Sequence, residues 1–351
     1  MSEDVWSDQD TTPDKIDAAL RRLLYQRHQA QGDLFPARVL NLVVVVDRDL
    51  KGEIANRLER VGRYHASRTI LCAVEQGRTT LDAVAVIHYD RRPGSTPCAM
   101  QEQVEIDLGP EHLAALETIV SPVLGAELTT MLWSPHGYEE AVTALLPIID
   151  AILLDADDED GTEAGLARSA ELLDDAYVVD LAWLRTTPWR ERLAASFDPP
   201  ERRDALGMVK EVSIRHRPSS EASAALLAGW LASRLSWNAC RLEGATGRGR
   251  SGPAAAEGQR DEVRVILEPH GQDSPGLAGV TVAWGNRCAL SLDRSIGGLL
   301  ARQTGGDHDR EWRVLGASRG EAGILGEGVR QALLRDSTYG PALAAAREMC
   351  H

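Results

Sequence analysis

The sequence predicts a mixed α/β fold of two domains, each a mixed β-sheet covered by helices. Two observations carry this. Stretches such as "ARVLNLVVVVD" (37–47) are apolar at consecutive positions and rich in branched residues, the pattern of a strand buried on both faces. Such stretches alternate with segments whose apolar residues recur at helical spacing. The length, 351 residues, suits about two domains.

Residues 1–13 are polar and acidic and read as a disordered leader. From Asp14 to Gln31, Ile16, Leu20, Leu23 and Leu24 share one face of an amphipathic helix, so leader and helix occupy 1–32. An N-terminal α/β domain is expected over 33–175. It opens with the buried strand and a helix from Leu50 to Val61. Strands follow at "SRTILCAVE" (67–75), "LDAVAVIHY" (81–89) and "EQVEIDL" (102–108). A helix over Glu111–Ile119, the strand "ELTTMLW" (127–133), a helix over Tyr138–Leu146 and the strand "IDAILLDA" (149–156) complete the alternation. The acidic stretch "DADDEDGTEAG" (155–165) reads as a solvated break before a helix rich in Leu and Ala.

The C-terminal α/β domain is expected over 176–351. "MVKEVSIRHRP" (208–218) is strand-like and stops at Pro218. The helix Ser219–Ser236 has Ser219 or Ser220 as a candidate cap and Glu221 in its first turn, where a carboxylate suits the helix dipole. Strands are expected in "ACRLEG", "DEVRVILEP", "GVTVAWG", "RCALSLDR" and "EWRVLGAS", then helices over 320–334 and 338–349.

Charge limits the partners. A formal net charge of −15 speaks against a phosphate-backbone binder, so no nucleic acid is expected. The longest apolar run is too short to span a bilayer, so no membrane is expected. The N-terminus lacks the basic-then-apolar pattern of a secretory signal, which places the chain in the cytoplasm. Five cysteines (Cys72, Cys98, Cys240, Cys288, Cys350), with no C-x-x-C, suit a reducing compartment. Cys72 reads as a buried hydrophobe and Cys350 as an exposed thiol.

No local motif carries chemistry. "GRGRSG" (247–252) has the glycine spacing of a dinucleotide loop, but Pro253 and a further strand follow where a helix is required. It reads as a hairpin loop. "DADDED" (155–160) fails the spacing of a calcium loop. The histidines are scattered, with no metal-ligand pair, and no nucleophile elbow or phosphate loop is present. Catalytic, cofactor and metal residues are therefore all expected to be absent, and a small-molecule ligand stays unknown.

"DLAWLRTTPWRERLAASF" (180–197) stands out, with two tryptophans and the arginines Arg185, Arg190 and Arg192 in an acidic, aromatic-poor chain. Thr187 could cap a new helical segment with Pro188 at its first position. Trp189, Leu193 and Phe197, four apart, then share a side. Two main readings are a core helix showing its arginines to water, or a docking surface, since Trp and Arg are enriched at interfaces. A nucleic-acid groove is weaker given the net charge, and a sugar-binding aromatic platform has no supporting carboxylate pattern. A rival reading makes the chain an enzyme that binds a sugar phosphate or nucleotide in a site assembled from loops at strand ends. Arg68, Arg185 and Arg190 would then be bidentate phosphate ligands.

"VVDLAWLRTTPWRERLAASFD", with "LLAGWLASRLSW" about thirty residues on, resembles the glucose-6-phosphate dehydrogenase assembly protein OpcA family. "ARVLNLVVVV" and "YHASRTILCAV" agree in order and type, with Ala66 where a proline is usual in the family. The most specific part is the pattern at Asp180, Trp183, Arg185, Trp189 and Arg190. The resemblance implies a non-catalytic activator that binds glucose-6-phosphate dehydrogenase and promotes its active oligomer in the pentose phosphate pathway, and so the supply of NADPH. Trp183, Arg185, Trp189, Arg190 and Arg68 are the candidate partner-docking residues.

Overall fold

A computed structural model describes residues 2–30, 38–62, 67–89, 101–237, 242–244, 263–285, 287–305, 309–315 and 321–350. The loop "GRGRSG", His65, Cys98 and Cys240 lie outside them. The chain divides into two compact units: residues 1–154 with 175–179 and 325–335, and residues 155–174 with 180–324 and 336–351.

The first unit holds β1 (Ser2–Asp8), α1 (Pro13–Ala30), β2 (Leu40–Asp47), α2 (Lys51–Gly62), β3 (Ser67–Val74), β4 (Asp82–Tyr89), β5 (Gln101–Leu108), α3 (Leu116–Val120), β6 (Thr129–Trp133), α4 (Glu139–Leu145) and β7 (Ala151–Leu154). With β8 (Tyr177–Asp180) they form one mixed sheet ordered β1-β4-β5-β3-β2-β6-β7-β8. Its centre is parallel: β2 runs alongside β3 and β6, and β3 alongside β5. In β2 every residue from Leu40 to Val46 is buried, as two covered faces require. β4 and β5 instead alternate buried and half-buried, and pair antiparallel. Cys72 lies in the buried β3, and burial pushes its thiol up to about 12.

The leader expected at 1–13 is instead an ordered edge. β1 pairs antiparallel along all of β4. The Arg27 guanidinium on α1 bonds Asp4 through Nε at 2.8 Å and lies over the Tyr89 ring at 3.7 Å. Of the acidic residues that read as disorder locally, Glu3 is exposed, while Asp4 and Asp8 share the more covered face with Trp6 and are met by Arg27 and Lys15 of α1.

The second unit holds α5 (Thr162–Leu173), α6 (Leu181–Phe197), α7 (Pro200–Arg203), β9 (Val209–His216), α8 (Glu221–Leu235), β10 (Leu242–Gly244), β11 (Arg264–Pro269), β12 (Leu277–Trp284), β13 (Cys288–Ser295), β14 (Gly298–Thr304) and β15 (Arg310–Leu315), in the order β10-β11-β9-β12-β13-β14-β15. β10, β11 and β9 run parallel, and β12 to β15 form an antiparallel meander. β14 is an addition to the expected strands; Gly297, at φ +79°, makes the turn that starts it. Two further helices close the chain, α9 (Glu321–Gln331) and α10 (Tyr339–Cys350).

α8 is buried on every side from Ala222 to Gly229, where all but Ser223 are apolar or glycine. It packs on β9 and β11 and against α5, α6 and α10. Gly229 lets α10 come close: a Cβ there would sit 2.1 Å from the Ala342 carbonyl oxygen. Cys350, expected as an exposed thiol, is half-buried on α10, and burial pushes it up to about 11.

Candidate functional site

The segment that stands out in sequence is one continuous helix, α6, which runs through Pro188. Its cap is Asp180, not Thr187. The Asp180 Oδ1 accepts from the Ala182 N–H at 2.9 Å and from the Ala156 N–H at 3.2 Å. Its Oδ2 accepts from the Tyr339 hydroxyl at 3.0 Å. A helix N-terminus wants such an acceptor, and an aspartate next to the first apolar helical residue was a readable signal for it.

Arg185 lies one helical turn on. Its two terminal nitrogens grip Asp155 bidentately at 2.7 and 2.6 Å, and one reaches Asp157 at 3.4 Å. Asp157 in turn accepts from the backbone N–H of Ser223 at 2.9 Å and from its hydroxyl at 2.5 Å, so it caps α8 from a distant segment. Ser220, the expected cap, makes no side-chain cap; its hydroxyl accepts from the Gly276 N–H. The acidic stretch is therefore only partly solvated: Asp158, Glu159 and Asp160 are exposed, but the Asp155 and Asp157 side chains keep 8% and 5% of their surface.

Asp155 and Asp157 share Arg185, while Asp180 is bonded only by neutral donors. Burial, then the charge of Asp155, pushes Asp180 up to about 7 despite its three hydrogen bonds. The same causes push Asp157 up to about 6, against the bonds from Ser223 and the charge of Arg185.

On the adjacent face Trp183, Thr186, Thr187 and Arg190 line up at helical spacing. The Arg190 guanidinium stacks 3.5 Å over the Trp183 ring and donates to the hydroxyls of Thr186 and Thr187, each at 2.9 Å. Asp336 accepts from the Trp183 indole at 2.9 Å and from Arg190 at 3.5 Å. Burial lowers Arg190 to about 10, with Asp336 opposing. Trp189 is packed away completely, and the Phe197 ring meets Trp284 edge-on at 5.7 Å.

Arg68 belongs to the first unit. On β3, opposite Glu102 of β5, it donates to that carboxylate at 2.7 Å and to the Val123 carbonyl at 2.8 Å. Arg38 bonds the other Glu102 oxygen at 2.5 Å. Burial lowers Arg68 although Glu102 opposes it.

Of the two readings open for 180–197, the burial carries the core helix for its tryptophans: Trp183 and Trp189 are 2% and 1% exposed. The arginines are not turned to water as that reading had it, because carboxylates of the chain itself meet them. The same pairing removes Arg68, Arg185 and Arg190 as free phosphate ligands. Among the described residues no group of three or more side chains could hold a metal ion, and no helix is long and apolar enough to cross a membrane.

Residues 176–343, which include α6, α8 and the second sheet, match a family model described as the C-terminal domain of a glucose-6-phosphate dehydrogenase subunit. Proteins carrying the name OxPP cycle protein OpcA align as well. That of Synechococcus elongatus is 28% identical over 55% of this chain and 44% of its own length. That of Synechocystis sp. is 35% identical over 36% and 28%, and that of Nostoc punctiforme 30% over 55% and 43%. Over these stretches the chain is similar to the OpcA family.

The alignments span less than half the length of these OpcA relatives. Among solved structures, a 3-ketoreductase of Actinomadura kijaniata in complex with NADP overlays with a TM-score of 0.46 at 11% identity, covering 90% of this chain and 96% of that one. An oxidoreductase of Bacillus subtilis overlays at 0.43 and 6%, covering 88% and 95%. Likeness at that level says nothing of cofactor or activity. The pattern at Asp180, Trp183, Arg185, Trp189 and Arg190, which carries the sequence resemblance, is a single helix with its cap and its ion pairs.

Proposed function

We propose that the chain is a non-catalytic, cytoplasmic partner of glucose-6-phosphate dehydrogenase that favours the enzyme's active oligomer and so raises NADPH supply. The observation that supports this most is the match of residues 176–343 to a domain described as belonging to a subunit of that enzyme. An activator must bind the competent state of its target better than the other state, or it shifts nothing. A preference of about 1.4 kcal/mol is worth tenfold in that equilibrium. Trp183, Arg185, Trp189, Arg190 and Arg68 enter this reading as the packing and pairing that fix each unit's surface, not as side chains presented to the partner.

The test uses the dehydrogenase from the same organism, assayed with and without this chain, with the mixture run on a sizing column. The expected result is a higher rate together with a larger co-eluting species. An unchanged rate and unchanged elution would refute the partnership.

A further inference from the structure

The second unit contains a cavity of about 310 Å³ at the C-terminal ends of α6 and α8. Leu193 and Phe197 of α6, Trp230 and Leu231 of α8, Val282 of β12 and Trp237 form its apolar walls. Volume and composition are those of a ligand pocket: mostly hydrophobic and aromatic, with few polar groups.

The walls are built, not incidental. α8 ends at Ser236, which adopts the left-handed conformation at φ 53° although it is not glycine. That turn carries the Trp237 N–H back to the Ala232 carbonyl at 3.0 Å and sets the indole against the end of its own helix. Trp230 and Trp237 are both only half-buried, so their rings keep surface to offer. Indole faces favour flat partners.

Charge at the same cavity selects sign. Arg203 and Arg234 line it and are exposed. Arg185 and Arg190 on α6 are met by carboxylates of the chain. Arg234, by contrast, has no acid partner among the described residues. Arg203 turns one nitrogen to the backbone carbonyl of Asp198, at 2.8 Å, which leaves its charge uncompensated. The Asp198 side chain is the one carboxylate along the walls. Two guanidiniums against one carboxylate leave a single net positive charge.

We propose that this pocket binds a small organic monoanion: a flat apolar body between the tryptophans, its carboxylate, sulfonate or phosphodiester on Arg203 and Arg234. The inference does not depend on the dehydrogenase partnership, and its test does not involve that enzyme.

The test titrates the full chain with 8-anilinonaphthalene-1-sulfonate and, separately, with its uncharged relative N-phenyl-1-naphthylamine, reading probe fluorescence. Ala194 is an exposed wall residue, and Ala194→Trp fills the cavity. Ala195→Trp puts the same bulk on the neighbouring exposed position, which is not part of the wall. Arg234→Glu reverses one of the charges. The expected result is one saturable site, with both probes weakened about tenfold by Ala194→Trp and unchanged by Ala195→Trp. Arg234→Glu should weaken the sulfonate about tenfold and leave the neutral probe as it was. Equal binding by the Ala194→Trp and Ala195→Trp chains would overturn the site. Equal effects of Arg234→Glu on the two probes would overturn the anion.

Discussion

Replacing Asp180 by asparagine should flatten part of the protein's stability against pH. The Asp180 carboxylate titrates near its ordinary value of 3.8 in the unfolded chain and at about 7 in the folded one. Between those values the folded state holds a proton that the unfolded state has released. Stability therefore falls as pH rises through that window and levels off above about 7. Each pH unit inside the window is worth about 1.4 kcal/mol. Going from pH 5 to pH 8 crosses about two of them, so Asp180 alone withdraws about 3 kcal/mol. Asp157, raised to about 6, adds to the fall in the same direction over a narrower window.

Asparagine keeps an oxygen for the Ala182 and Ala156 N–H groups and is as good a cap as aspartate, but it cannot ionise. Urea unfolding of both chains at pH 5, 6, 7 and 8, followed by tryptophan fluorescence, isolates Asp180 together with its coupling to Asp155 and Asp157, because titrating groups that do not interact with it cancel in the difference. The asparagine chain should gain about 3 kcal/mol on the native one between pH 5 and pH 8. Asp180→Ala is the contrast: it cannot ionise either, so it should run parallel to the asparagine chain and about 1 kcal/mol below it at every pH for the lost cap, besides orphaning the Ala156 N–H. A native-minus-variant difference that does not move with pH would refute the argument and mean that Asp180 is ionised throughout.

Gly229→Ala should lower the melting temperature sharply, at a cost of about 3 kcal/mol, because the new Cβ meets the Ala342 carbonyl and the Ala346 backbone nitrogen and the helices must part. A shift of less than a degree would mean that α10 does not crowd α8 at this point. Arg68→Met should cost about 3–5 kcal/mol by stranding the buried Glu102 with Arg38 alone. The double change with Glu102→Leu should recover much of that in a urea titration, and no recovery would show that the loss lies in packing and not in charge.

What was legible in the sequence was local. β2 and α8 announce themselves because burial on all sides forces apolar residues at consecutive positions, a pattern that needs no knowledge of neighbours. β1 was not legible, since its order comes from β4, some eighty residues away, and from Arg27 on α1. β14, "GLLARQT", has too few apolar residues to announce itself and is held by its two neighbours. Pro188 reads as a helix start because proline at the first helical position usually marks one, and that signal masked Asp180, whose place before Leu181 is the local signature of the actual cap. The polar network under α6 could not be read at all: Asp155, Asp157, Ser223, Asp336 and Tyr339 come from separate stretches of the chain.

The origin of those pairing groups decides how a segment rich in tryptophan and arginine should be interpreted. Interfaces and interiors favour the same side chains for the same reason, since both need large flat apolar area and cations that pair in fixed geometry. What separates the two is where the pairing carboxylates come from. An arginine kept for a partner leaves its charge unmatched in the free protein; a structural arginine is met by acids of its own chain. Arg185 and Arg190 are met by Asp155, Asp157 and Asp336, and stripping Arg185 for a partner would strand the buried Asp155 and Asp157 at about 3–5 kcal/mol. Arg203 and Arg234, at the other end of the same helical layer, are under no such constraint. Recognition in this unit should therefore be sought around the α6–α8 pocket, with α6 as the frame that holds the pocket's walls.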